Sequence, residues 1–295
     1  MTSMNLVGLK AWGGIPEAPL ESARIVLAGL AYDGSAVYRR GAAEAPAAIR
    51  RLSPVMPAVD ERGRGLDRLS IFDLGDLSLG EAVETGWQAA AECLATVPKD
   101  AFLTVLGGDH CCAIPILAAQ ARRHPELAVL WVDAHPDLCD ASRGGRWTCG
   151  CALRRSLEVA GLEPRRVALA GCRDIDADEL EYVREQGLVM VPTVDFASDF
   201  AAASKRVLDA LGDRPVHVSL DIDVLDPAYA PGTEIASAGG WTTRQVLDLL
   251  AEANRRCRLV GLDICEISPN LDHADVTGLA ALKVLFETWS AVAHR

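Results

Sequence analysis

Leu127-Ala-Val-Leu-Trp-Val-Asp133-Ala-His135-Pro-Asp137 decides how this chain is read. An unbroken apolar run is the mark of a strand buried on both faces. The acids and imidazole that follow it at once fall where such a strand reaches the edge of its sheet. Two other stretches share the plan: Ala101-Phe-Leu-Thr-Val-Leu106 leads into Gly107-Gly108-Asp109-His110, and Val216-His-Val-Ser-Leu220 leads into Asp221-Ile-Asp223-Val-Leu-Asp226-Pro227. Working outward, apolar strand patterns occupy 24–30, 70–75, 102–106, 128–133, 167–172, 189–194, 216–221 and 259–265. Helical patterns fill 84–97, 113–123, 176–187, 201–212, 242–256 and 277–294. Strands alternating with helices predict a three-layer α/β fold, in which one mostly parallel eight-stranded sheet is covered by helices on both faces and binds ligands at the carboxyl ends of its strands. Thr242 reads as a helix N-cap, and Gly187 and Gly212 as helix stops.

The three blocks bring together His110, Asp133, His135, Asp137, Asp221 and Asp223. In extended chain, side chains alternate faces, so Asp133, His135 and Asp137 can share one face, as can Asp221 and Asp223. Four carboxylates and two imidazoles drawn together out of water repel one another unless cations neutralise them. They offer more donors than one ion needs, and carboxylates that bridge a pair of ions use them all. Hard oxygen with borderline nitrogen suits Mn²⁺ better than a thiolate-loving ion, with Ni²⁺, Co²⁺ and Zn²⁺ as competitors. Paired ions of this kind activate water as a nucleophile, which makes hydrolysis the favoured chemistry. Taken singly, the first block also reads as a turn with a helix cap, and Asp221-Ile-Asp223 as a strand end bonding a loop.

At 295 residues, with no low-complexity linker or shift in composition, the chain reads as a single domain over 1–295, in which 1–22 form an N-terminal extension. A formal net charge of −12 disfavours nucleic acid as a partner, because phosphate binding needs concentrated Lys and Arg. Nine cysteines, an odd number that includes the adjacent Cys111 and Cys112, do not make a disulfide framework, so a cytoplasmic setting is expected. No signal-peptide pattern opens the chain and no apolar run reads as a membrane span, so no membrane partner is expected.

With these blocks in place, the sequence resembles the ureohydrolase family of arginases, agmatinases and related guanidino hydrolases, and its agmatinase-like branch in particular. The resemblance also rests on Tyr32-Asp-Gly-Ser35, Tyr38-Arg-Arg-Gly41, Ala45-Pro-Ala-Ala-Ile-Arg50, Pro227 to Thr233, Gly239 to Arg244, and Asp263-Ile-Cys-Glu266-Ile-Ser-Pro269. It runs from about residue 25 to the C-terminus, in order. It implies an arginase-like fold, two Mn²⁺ per chain and a homotrimer or homohexamer. One ion falls to His110, Asp133, Asp137 and Asp221, and the other to His135, Asp133, Asp221 and Asp223, with Asp133 and Asp221 bridging. The implied substrate is a small linear guanidino compound cleaved to urea and an amine. Asp137 carries the proton and Glu266 anchors the guanidinium, for which a planar fork of donors makes a carboxylate the natural partner.

Two departures bear on activity and substrate. Where the family places a proton-shuttling histidine, this chain has Cys149, which reads as a substitute acid, a redox-sensitive residue or an inert small side chain. His273 is an alternative shuttle. Thr233-Glu-Ile-Ala-Ser237 stands where agmatinase relatives carry Thr-Pro-Glu. Arg143 and Arg146, beyond the second metal block, could pair with a carboxylate tail, which makes a guanidino acid or another amidine the rival to agmatine; the alternative reading turns both arginines to solvent. The other rival is a metal-binding relative with weak or no activity.

Overall fold

The computed structural model describes residues 8–79 and 83–294, so residues 1–7 of the expected N-terminal extension lie outside the described residues. Eight strands form one sheet: β1 (Ile25–Leu30), β2 (Ile71–Asp76), β3 (Phe102–Gly107), β4 (Ala128–Val132), β5 (Val167–Ala170), β6 (Val189–Val191), β7 (Pro215–Asp221) and β8 (Arg258–Cys265). Their order is β2-β1-β3-β8-β7-β4-β5-β6. Every pairing is parallel, where the sequence had suggested only a mostly parallel sheet. Each expected strand is present within a residue or two, except that β5 and β6 stop early. Gly171 takes φ +97° just past β5, and Pro192, which has no N–H to give a neighbour, ends β6.

The α-helices are α1 (Ala45–Leu52), α2 (Val83–Ala95), α3 (Ala113–Arg123), α4 (Ala152–Ala160), α5 (Ala177–Gln186), α6 (Thr193–Ser198), α7 (Phe200–Leu211), α8 (Thr243–Arg256) and α9 (Val276–Ala293). The alternation of side chains along each strand feeds two apolar layers. Ile25, Leu27, Leu130 and Val132 face α1, α7, α8 and α9, while Val26, Ala28, Val129 and Trp131 face α2, α3 and α4. Thr242 caps α8 through a reciprocal box with Gln245, and Gly187 ends α5 in the left-handed region.

The described part of the N-terminal segment packs onto the domain: Trp12 is buried edge-on against Trp289 at 5.5 Å, and its main-chain N–H donates to Ser53 Oγ. One expectation needs correction: α9, with mean hydropathy 1.3, is apolar and long enough to cross a membrane, although 72% of it is buried within the protein. Its hydrophobicity runs all the way round because Leu282, Leu285, Phe286 and Trp289 sit in the core.

Candidate metal centre

In the sheet order, β3, β8, β7 and β4 are consecutive, and all four run the same way. Their carboxyl ends therefore deliver His110, Glu266, the Asp221–Asp223 pair and the Asp133–Asp137 block to one place, at the edge where parallel sheets bind ligands. The local geometry differs from the strand alternation expected of it. Asp137 has φ +54°, and Asp223 lies in a 3₁₀ turn, Ile222–Val224, capped by Asp221, whose Oδ1 accepts the Asp223 N–H at 2.7 Å. The ligands converge through turns beyond the strand ends. Asp109 is a cap, as one reading of its block had it: it accepts N–H groups from Ser35 at 3.0 Å and Cys111 at 3.2 Å. Burial pushes its pKa up to about 7 against the pull of those donors.

Two triads of donor atoms result, His110–Asp133–Asp221 and Asp133–His135–Asp223, with Asp133 common to both. His110 Nδ1 lies 2.9 Å from Asp133 Oδ2, 3.2 Å from Asp221 Oδ2 and 3.4 Å from Asp137 Oδ2. His135 Nδ1 lies 3.0 Å from Asp223 Oδ2 and 3.6 Å from Asp133 Oδ1. All six expected ligands are thus brought together. Burial opposes charge on His110, yet hydrogen bonding and charge from Asp133 and Asp221 outweigh it and hold its pKa well above the ordinary value. Burial raises Asp137 and Asp221, and the neighbouring carboxylates add to the shift.

A hydrogen-bond chain tests whether these residues suit a metal. Ser219 Oγ donates its proton to Asp263 Oδ1 at 2.9 Å, so at 3.0 Å it accepts from His110 Nε2. In a neutral His110 that leaves the Nδ1 lone pair, buried and without a hydrogen-bond partner, aimed at three carboxylate oxygens. A lone pair facing three anions is repulsive; with a cation between them it becomes a ligand set. The donors are imidazole nitrogen and carboxylate oxygen, and they fit two divalent ions that share Asp133.

Other residues hold this arrangement in place. Trp131 stacks on His110 with ring centroids 4.0 Å apart, and its Nε1 donates to Asp133 Oδ2 at 3.0 Å. Arg173 donates to the carbonyls of Asp223, Val224 and Ser237 at 2.6, 3.2 and 2.8 Å, tying the turn that carries Asp223 to the loop beyond it. Neither residue was singled out from the sequence, where Trp131 is one apolar residue of a buried run and Arg173 stands in no pattern. The period-two file His217, Ser219, Asp221 in an otherwise apolar strand was the available signal for the polar network behind His110.

The triads open into a cavity of about 460 Å³ lined by Val37, Cys139, Arg143, Cys149, Ile175 and Glu234, among others, and by Glu266. Glu266 is buried at φ +64°; its Oε1 accepts the His110 N–H at 2.8 Å, and its Oε2 has no partner. Cys149 lies beside Glu266 and Glu234. Burial, then the carboxylates of Glu266, Asp137 and Glu234, push its thiol far above the usual range. The two arginines part company: Arg143 lines the cavity, but Arg146 is half-exposed and turned to surface ion pairs with Asp140 at 3.2 Å and Glu158 at 3.9 Å. Its long flexible side chain finds those carboxylates outside the cavity, which corrects the expectation that it meets a substrate tail. His273 is exposed and does not line the cavity.

Comparison with known proteins agrees with this geometry. The model of the arginase family matches residues 23–290. The chain is 35% identical over 274 residues to an agmatinase of Bacillus cereus, covering 90% of this chain and 91% of that one. It is 32% identical to a guanidinopropionase of Pseudomonas aeruginosa, covering 90% and 85%. Among solved structures, proclavaminate amidino hydrolase from Streptomyces clavuligerus superposes with a TM-score of 0.87 at 32% identity, covering 96% of each chain. With its all-parallel sheet, its paired triads and a family match over nearly its whole length, the chain belongs to the arginase family.

Proposed function

We propose that this protein is a dinuclear metal hydrolase that cleaves a C–N bond of a linear guanidino compound to give urea and an amine. The observation that carries this reading is the unpartnered Oε2 of Glu266, buried on the floor of the cavity beside two histidine–carboxylate triads. Mn²⁺ suits the oxygen and imidazole donors best; His110, Asp133, Asp137 and Asp221 would hold one ion and His135, Asp133, Asp221 and Asp223 the other. Bound there, two ions supply a strong nucleophile from water at neutral pH.

The chain's own residues do the rest. Glu266 takes the planar guanidinium on its free oxygen and orients the carbon toward the triads. Asp137, which lines the cavity at the edge of the first triad with Oδ2 turned toward His110, accepts the proton from water at its other oxygen, Oδ1, and returns it to the departing amine. Cys149, held as a neutral thiol by burial among carboxylates, keeps its proton near neutrality, so it serves as cavity wall and does not shuttle protons. Agmatine, with a cationic tail, suits a cavity whose outer wall carries Asp174 and Asp176. A guanidino acid is the second reading, favoured by Arg143 on the same wall. Nine free thiols support a reducing, cytoplasmic setting, and the family resemblance supports a homotrimer or homohexamer.

The test is urea release by the Mn²⁺-loaded protein from agmatine, arginine, guanidinobutyrate, guanidinopropionate and guanidine under reducing conditions. Turnover that disappears on Asp223→Ala and on Glu266→Ala is the expected result. No urea from any of the five compounds, with two ions bound per chain, refutes the reading.

A further inference from the structure

Glu266 is not alone on the cavity floor. Glu234, 3% exposed, comes from the loop after β7 and points its carboxylate to the same spot, so that acceptor atoms of Glu234, Glu266 and Cys149 all lie within 4.8 Å of one another. Glu234 is set there firmly. The amide N–H groups of Val37, Tyr38 and Arg39 hold its carboxylate, and the Arg39 guanidinium donates to its main-chain carbonyl at 2.9 and 3.2 Å. The charge of Arg143 also acts on it. Glu266 has one oxygen on an amide and the other on nothing. Two carboxylates this close and this dry repel each other until a cation lies between them, and the cavity leads directly to that point.

We infer that Glu234 is a second substrate-binding carboxylate, so that the head group is gripped on two edges, by Glu266 and by Glu234. This rests on the guanidino hydrolase reading above and extends it to substrate class. A monoalkyl guanidinium presents paired N–H donors along more than one edge of its plane, and can pair with a carboxylate on each. An alkylammonium can reach one oxygen of each but has no planar pair of donors with which to bind either carboxylate bidentately. An amidinium has carbon where guanidinium has its third nitrogen, so it satisfies one carboxylate and leaves the other facing a C–H or a methyl group. The cost of that unpaired buried acceptor falls on the amidinium, which makes the site selective for guanidinium.

Glu234→Gln tests this, because glutamine keeps an oxygen for the amides of residues 37–39 while removing the charge. In the Mn²⁺-loaded protein we expect KM for the guanidino substrate to rise about 10–100-fold, with kcat changed by less than about threefold. Metal content should stay at the wild-type value and Tm should not fall. Binding of guanidinium chloride and acetamidinium chloride, measured by isothermal titration, should show the preference for guanidinium in the wild type and its loss in the variant. If Glu234→Gln does not fold, Glu234→Asp, which keeps the charge but withdraws it by one methylene, should raise KM in the same direction.

A lowered Tm with unchanged KM and unchanged guanidinium binding assigns Glu234 to holding the 37–39 segment alone and overturns the inference. The binding measurement separates the two claims. A wild type that binds guanidinium but releases no urea counts against the hydrolase reading, while equal binding by wild type and variant overturns the role of Glu234 whatever the turnover.

Discussion

Gly108→Ala places a single methyl where the backbone leaves no room, and its effect can be worked out from distances. A Cβ at residue 108 would sit 1.8 Å from the carbonyl oxygen of Tyr32 and 2.7 Å from that residue's carbonyl carbon and nitrogen, whereas such contacts do not occur below about 3.0 Å, so something must move by about 1.2 Å. None of the nearby atoms is a free side-chain end. The Tyr32 carbonyl accepts the Asp109 N–H at 2.7 Å, and the Gly108 carbonyl accepts the Glu266 N–H at 2.7 Å. The displacement therefore passes to His110 and Glu266, which are themselves joined by the His110 N–H. Misplacement of about 1 Å costs on the order of 10²-fold in turnover, and overpacking costs about 1–3 kcal/mol of stability. The second triad, Asp133–His135–Asp223, is built from the ends of β4 and β7 and takes nothing from β3. Bound metal, measured by elemental analysis after desalting, should accordingly fall from two ions toward one, with kcat reduced about 10²-fold and a lower Tm. A variant that keeps two ions and wild-type turnover refutes the claim that the approach of residue 108 to Tyr32 sets the position of His110.

Ser219→Ala removes the hydroxyl that bridges His110 Nε2 and Asp263 Oδ1, and should weaken metal binding about 10–100-fold on titration of the metal-free protein; an unchanged affinity refutes the orienting role of Ser219. His124 is buried with neither ring nitrogen partnered, and burial, reinforced by Arg123, lowers its pKa from 6.5 to about 4. Between those values the unfolded chain binds a proton that the folded chain does not, so stability drops as pH falls through the window, by at most about 1.4 kcal/mol per unit from this group. His124→Phe should flatten that part of the stability profile in urea denaturation between pH 6.5 and 4, and parallel profiles for the two proteins would count against it.

Much of this was legible in the sequence, for identifiable reasons. Interior strands buried on both faces are mainly apolar, and the edge strands β2 and β6 keep short apolar stretches at Ile71-Phe72 and Val189-Met190-Val191, so all eight could be seen. Side chains able to hold a metal stand in three compact blocks, so the six that converge could be picked out. The geometry that brings them together was not legible: alternation along extended chain was the wrong reason for the right convergence, because Asp137 takes φ +54° and Asp223 sits in a turn. The short helices α1, α4 and α6 were also missed, being too short to announce themselves by period and dependent on packing for their stability. Glu234 was visible only as an interruption of a family pattern. Its neighbour Glu266, not anything local, gives it meaning.

The polar file behind His110 shows why a metal site can sit on the interior strands of a sheet at all. On β7 and β8, His217 lies opposite Gly261, Ser219 opposite Asp263, and Asp221 opposite Cys265. Arg123 donates to Gln120 Oε1 at 2.5 Å, Gln120 Nε2 to His217 Nδ1 at 2.8 Å, His217 Nε2 to Asp263 Oδ2 at 2.7 Å, and Ser219 to the other oxygen of Asp263. Each member between the Arg123 guanidinium and His110 has its donor and acceptor matched, so the chain of bonds tolerates burial where a half-satisfied one would not. Gly261 is part of the same design. A Cβ there would lie 2.3 Å from Gln120 Nε2 and 2.6 Å from His217 Nδ1, so only glycine leaves space for their bond. Arg123 is in turn fixed by the carbonyls of Val97, Pro98 and Ala101 at the opposite end of the strands. The orientation of His110 thus depends on residues a full strand length away, because the Ser219 proton, committed to Asp263, leaves His110 no choice but to turn its Nδ1 toward the carboxylates.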